Sequence, residues 1–174
     1  MHVHAGDQAD RALLRRLADD YGPFDVVIDD GGHTAAQQVA SFEALFPGLR
    51  PRGAYVVEDT HTSYWPAFGG GWPGVGGAPD AGLGFVAYAK RLLDVLHAWH
   101  APPEAAAALA ERDWAFPRAA RSVAVYSSVV VVEKRARALD AADLAPAFFG
   151  ETPLGEALPV VRPDDDGVAW PDPW

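Results

Sequence analysis

The sequence predicts a mixed α/β fold: a partial doubly wound sheet, mainly parallel, with one antiparallel strand near its last edge. Three observations carry that expectation. The chain opens in the order strand, helix, strand, helix, strand, the alternation of a parallel sheet with crossover helices. Two short apolar runs, Phe24 to Ile28 and Ala54 to Val57, are bounded by turn residues, as suits strands buried on both faces. Later, Ser122 to Lys134 (SVAVYSSVVVVEK) reads as one or two strands. A tight turn at Ser127-Ser128 would lay them as an antiparallel pair at the far side of the sheet.

Taken in order, residues 2–5 read as a short strand already at its end, with His2 and His4 alternating along it, followed by Gly6-Asp7-Gln8. Asp10 can cap a helix with apolar positions Leu13, Leu14 and Leu17, running to about Asp20. Gly22-Pro23 turns the chain into the first central strand. Thr34, with Gln37 three residues on, makes a capping box. The helix it opens carries Val39, Phe42, Leu45 and Phe46 on one stripe, and Pro47-Gly48 end it.

Thr60 to Asp80 is a long loop at the ligand edge, with two tryptophans and a run of glycines, and reads as a lid. Leu83 to Trp99 has the clearest helical period, with Phe85, Ala89, Leu92, Leu93 and Leu96 facing one way. Pro102-Pro103 breaks it, and an alanine-rich helix is expected to about Trp114. Residues 1–150 form the expected domain. Residues 151–174 read as an irregular tail rich in proline and aspartate, in which Asp164-Asp165-Asp166 is a solvated charge run.

Bulk properties narrow the function. With 174 residues the chain can bury a core of its own. A formal net charge of -10 argues against a nucleic-acid backbone or an anionic membrane as the main partner. No apolar run is long enough to span a bilayer, and MHVHAGDQAD lacks a signal pattern, so the cytoplasm is the expected compartment. The absence of cysteine excludes disulfides and thiolate metal sites.

The chemistry gathers where the strands stop. The first central strand ends in Asp29-Asp30-Gly31-Gly32-His33 and the second in Glu58-Asp59. A right-handed crossover puts both carboxyl ends on one edge, where open α/β sheets bind ligands. Four carboxylates so close repel unless protons or a cation intervene, and oxygen-only ligands favour a hard ion such as magnesium. His33 is the neighbour suited to taking a proton near neutrality. Solvated turn aspartates are the plainer alternative. His61 reads as a loop residue, while Tyr64 and Trp65 are close enough to stack on the apolar face of a sugar.

Together IDDGGH, the block SFEALFPGLRPRGAYVVEDTHTSYW and the VVVVEK hairpin resemble one family: the metal- and S-adenosylmethionine-dependent O-methyltransferases that modify sugars on macrolide antibiotics. The likeness runs from Gly6 to about Lys134 and is densest between Phe24 and Trp65. It implies a partial class I methyltransferase (Rossmann-like) sheet, S-adenosylmethionine and Mg2+ as cofactors, and a glycosylated small molecule as substrate. By it Asp30, Glu58 and Asp59 would hold the metal and His33 would be the general base. Asp7 and Gln8 match a third-strand end beside the adenine, and Asp29 an acid facing the cofactor's methionine part.

In that family two strands precede the third, the first carrying a glycine-rich turn. This chain begins at the third, so those strands are expected to be missing. An open sheet edge would then invite a homo-oligomer. A truncated, non-catalytic partner of a complete enzyme is the alternative from another class, and a metal-dependent hydrolase is a third.

Overall fold

Asp10 opens the first helix of the computed structural model, which describes residues 1–76, 84–97 and 115–138. Its carboxylate accepts from the backbone N–H groups of Ala12 and Leu13, at 2.9 and 3.1 Å, and starts α1 (Arg11–Tyr21). Strand β1 (Phe24–Asp29) follows. Thr34 and Gln37 form the capping box that opens α2 (Ala35–Leu45). Pro47 sits in a 3-10 turn, Phe46–Gly48, that delivers the chain to β2 (Leu49–Val57). Two further 3-10 turns, Thr60–Tyr64 and Pro66–Phe68, lead towards α3 (Gly84–Leu96). The last elements are the short helix α4 (Ala115–Ala119), β3 (Ala120–Tyr126) and β4 (Val129–Lys134).

The four strands form an open sheet in the order β1-β2-β4-β3. Helix α2 packs on β1, β2, α1 and α3, and α3 packs on β3. One apolar cluster holds these layers together, with Phe42, Phe46, Tyr55, Val57, Phe85, Leu92, Val130 and Val132 all buried in it. At its centre the Phe42 ring meets Tyr55 edge-on at 5.2 Å. Burying one such ring contributes roughly 1.5–3 kcal/mol. The described residues all lie in one compact unit, Met1–Asp140. Among them no helix is long and apolar enough to cross a membrane.

β1 pairs with β2 in parallel and β4 is antiparallel to both β2 and β3, so β1, β2 and β3 run in one direction and β4, beside the edge strand, runs against them. Several other expectations are corrected. Residues 2–5 form no strand and are exposed; the rings of His2 and His4 lie instead about 5 Å from Tyr21.

Nor are the strands buried on both faces. The side chains of Tyr55, Val57, Val130 and Val132 alternate onto the helix-covered face, whereas Val26 and Ile28 remain 54% and 62% exposed. Strand β2 starts at Leu49 rather than Ala54, because exposed Arg50, Pro51 and Arg52 hide its period. Leu93 turns away from the stripe of α3 and is exposed. The alanine-rich helix expected to Trp114 and the tail 151–174 lie outside the described residues, as does the end of the loop at 77–80.

Candidate active site

Parallel pairing fixes where the acids arrive. Asp29 of β1 is in register with Val57 of β2, and the Glu58 N–H donates to the Asp29 carbonyl at 2.9 Å just beyond it. Both strands therefore release their acidic tips on one edge of the sheet. There the chain twists twice into the left-handed region, at His33 (φ 59°) and Asp59 (φ 51°). Few residues without glycine's freedom adopt that conformation, and here it turns both side chains to one point.

At that point Asp30, His33 and Asp59 each offer one ligand atom, all within 4.8 Å of one another. His33 Nε2 lies 3.7 Å from Asp59 Oδ2. A hard cation with metal–oxygen distances of roughly 2.1–2.5 Å spans about 4–5 Å between opposite ligands. Two carboxylates at this spacing thus fit one such ion with little movement. The imidazole stands beside them, its Nδ1 buried without a hydrogen-bond partner.

Glu58 is not part of this convergence. Its backbone is well used, the N–H by Asp29 and the carbonyl by the amide of fully buried Gln38 at 3.1 Å, and its side chain is half-buried. Asp29 also stands apart, buried beneath the corner at 5% exposure. Its Oδ1 accepts from the Gln8 amide at 2.6 Å and its Oδ2 from the Tyr55 hydroxyl at 3.2 Å. Burial holds the Asp29 carboxyl above its usual range, against the opposing pull of Tyr55, Gln8 and His33. Burial first, and then Asp29, push the Tyr55 phenol up as well.

Gln8 returns its Oε1 to the Gly32 N–H at 2.7 Å, so one side chain ties the segment before α1 to the loop after β1. Asp7 supports the turn beneath it, its carboxylate accepting from the Ala9 N–H at 2.8 Å. Gln8, Asp29, Asp30, Gly31 and Tyr55 line an open cavity of about 350 Å³.

The loop aromatics flank the corner. Tyr64 is half-buried against Trp72, ring centres 4.6 Å apart, and Trp65 is 51% exposed. Trp65 meets the His61 ring edge-on at 4.5 Å, and Phe68 lies 6.4 Å from the His33 ring. His61, read as a loop residue, reaches the site: its Nδ1 is 2.6 Å from Ser128 Oγ and 3.8 Å from Asp59 Oδ1. Ser128 and Thr62 gave no chemical signal of their own; each sits in a turn, and only the tertiary fold carries it to the acids. Repetition of hydroxyls straight after the acid pair, in EDTHTS, was the available hint.

No protein-family model matches the chain. It is 43% identical over 136 residues to the 8-demethyl-8-alpha-L-rhamnosyl tetracenomycin-C 2'-O-methyltransferase of Streptomyces olivaceus, a match covering 78% of this chain and 33% of that one. Over 65 residues it is 60% identical to the mycinamicin VI 2''-O-methyltransferase of Micromonospora griseorubida, covering 37% of this chain and 16% of that one. Among solved structures it is similar to the MycE methyltransferase from the mycinamycin biosynthetic pathway in complex with Mg, SAH and mycinamycin VI. That likeness has a TM-score of 0.64 at 38% identity and covers 77% of this chain and 32% of the other. The chain thus spans about a third of the length of the first of these relatives and of the solved structure.

Proposed function

We propose that this chain, a relative of the sugar O-methyltransferases of antibiotic biosynthesis over about a third of their length, serves S-adenosylmethionine-dependent methylation of a sugar hydroxyl on a macrolide-type natural product. The observation that carries the reading is the meeting of Asp30, His33 and Asp59 within 4.8 Å at two adjacent strand ends. Asp30 and Asp59 would hold magnesium, with Glu58 brought in by a side-chain rotation. When bound, the cation makes a coordinated hydroxyl more acidic and the cofactor's sulfonium presents an activated methyl group.

The chain's own residues do the rest. His33 Nε2 takes the hydroxyl proton, and Asp59, 3.7 Å away, stabilises the imidazolium that results. Asp29 and Gln8 would border the cofactor along the 350 Å³ cavity, with Asp7 in the adjoining turn, although both Asp29 oxygens already accept bonds from within the fold. Tyr64 and Trp65 would orient the sugar and exclude water, since an aromatic ring packs well on a sugar's apolar face.

Radiolabelled S-adenosylmethionine and a glycoside with vicinal hydroxyls test this directly. Transfer should require magnesium and fall about 10²–10⁴-fold in His33→Ala. Label incorporation that ignores both magnesium and His33 would contradict it, and none at millimolar cofactor would overturn independent activity. We assign the work to the cytoplasm. The partner is a small glycosylated molecule, together with a second copy of the chain met through the exposed Val26 and Ile28 of outer strand β1. Sedimentation velocity should then show association that Ile28→Lys weakens; a monomer at all concentrations would sink that part.

A further inference from the structure

A single buried hydroxyl clasps both left-handed residues of the acidic corner. Thr62 is 3% exposed, and its Oγ1 lies 3.0 Å from the His33 carbonyl and 2.8 Å from the Asp59 carbonyl. A hydroxyl donates one proton, so the two carbonyls share it. The Thr62 N–H also donates to the Asp59 carbonyl at 3.1 Å. A bond back to Asp59 alone, three residues earlier, would be an ordinary local turn contact of a threonine. The bond to His33 spans 29 residues and joins the loop after β1 to the loop after β2. No local turn requires it.

The two carbonyls belong to the two residues whose backbone most needs holding. His33 at φ 59° and Asp59 at φ 51° keep such conformations only where their surroundings determine them. The direction of each side chain follows from that backbone. We propose that Thr62 is a positioning residue, whose shared hydroxyl sets the spacing of the His33 imidazole and the Asp59 carboxylate and so the corner's grip on a divalent cation. This rests on the reading of Asp30 and Asp59 as a cation-holding pair with His33 as the base beside it. Removing a group that orients a metal ligand from behind typically costs about 10–100-fold in metal affinity.

The test uses Mn2+ as the probe, its binding to the whole chain followed by electron paramagnetic resonance, with Thr62→Val and Thr62→Ser. The valine keeps the volume and removes the donor; the serine keeps the donor and removes the methyl group. Thr62→Val should weaken Mn2+ binding about 10–100-fold, with Thr62→Ser restoring it. Amide-to-Hα couplings at His33 and Asp59 should leave their left-handed values only in the valine variant. Equal Mn2+ affinity in Thr62→Val, or a serine variant as weak as the valine, overturns the proposal.

Should Thr62→Val fail to fold, the unsubstituted chain still decides. Its Thr62 hydroxyl proton should be protected from exchange, and exchange at the free rate overturns the clasp. If the unsubstituted chain takes up no Mn2+, the cation reading fails, while the couplings and hydroxyl protection still judge Thr62.

Discussion

Gln8 and Asp29, 21 residues apart, are joined by a 2.6 Å hydrogen bond from the glutamine amide to Oδ1 of a carboxylate that is 5% exposed. That bond connects two layers of the account. It anchors the segment before α1 under the sheet edge, and it leaves an acid buried directly below the corner where Asp30 and Asp59 meet His33.

Asp29 makes stability depend on pH in a defined direction. Burial raises its carboxyl above the usual 3.8, so the folded chain binds this proton more tightly than the unfolded chain. Its stabilising contribution is therefore complete below pH 3.8 and is lost as pH rises through the raised folded-state value. Asp29→Asn removes the titration and keeps an acceptor for Gln8. Urea unfolding of both chains across the acidic range should show the variant gaining on the parent as pH rises. The difference between them is the readout, since every other carboxylate titrates in both. A difference that shrinks with rising pH would contradict the assignment.

Gly31 leaves the room in which Gln8 works. A Cβ there would lie 2.2 Å from Gln8 Oε1, the atom that accepts from the Gly32 N–H. Gly31→Ala should displace Gln8 and cost about 1–3 kcal/mol by taking a donor from the buried Asp29 carboxylate. Gln8→Ala should lose a similar amount. The double variant should lose much less than the sum, because both changes remove the same bonds. Denaturant midpoints measure all three, and strict additivity would show that the residues act separately.

Ser63 does for α3 what Asp10 does for α1. It is 2% exposed, and its Oγ accepts from the Val86 N–H at 3.1 Å in the helix's first turn. Ser63→Ala should cost about 1 kcal/mol. Gly84 opens that helix at φ 76°, and a Cβ there would lie 2.6 Å from Ser63 atoms. Gly84→Ala should therefore destabilise more than Ser63→Ala, by thermal or denaturant unfolding. A neutral Gly84→Ala would mean that this junction is looser than its geometry.

What could be read in the sequence was local. Asp10, the Thr34–Gln37 box and the serine turn of the hairpin all act on neighbours a few residues away, and the structure carries each as expected; the acids were legible as the ends of β1 and β2. What could not be read depends on distant partners. Arg50, Pro51 and Arg52 are all exposed, so no alternation of buried and exposed residues marks the start of β2. Nothing in the spacing of Asp29 and Asp30 says that one is buried under Tyr55 while its neighbour is exposed. His61, Thr62 and Ser128 entered the site through left-handed turns and a hairpin end, positions set by tertiary packing.

The most direct measurement is paramagnetic broadening by Mn2+ in amide nuclear magnetic resonance spectra of the whole chain. Signals of Asp30, His33 and Asp59 should broaden first, with Glu58 and Thr62 close behind, and excess Mg2+ should reverse the effect. Uniform broadening, or broadening that begins elsewhere on this acidic chain and spares the corner, would contradict a cation site formed by the two strand ends.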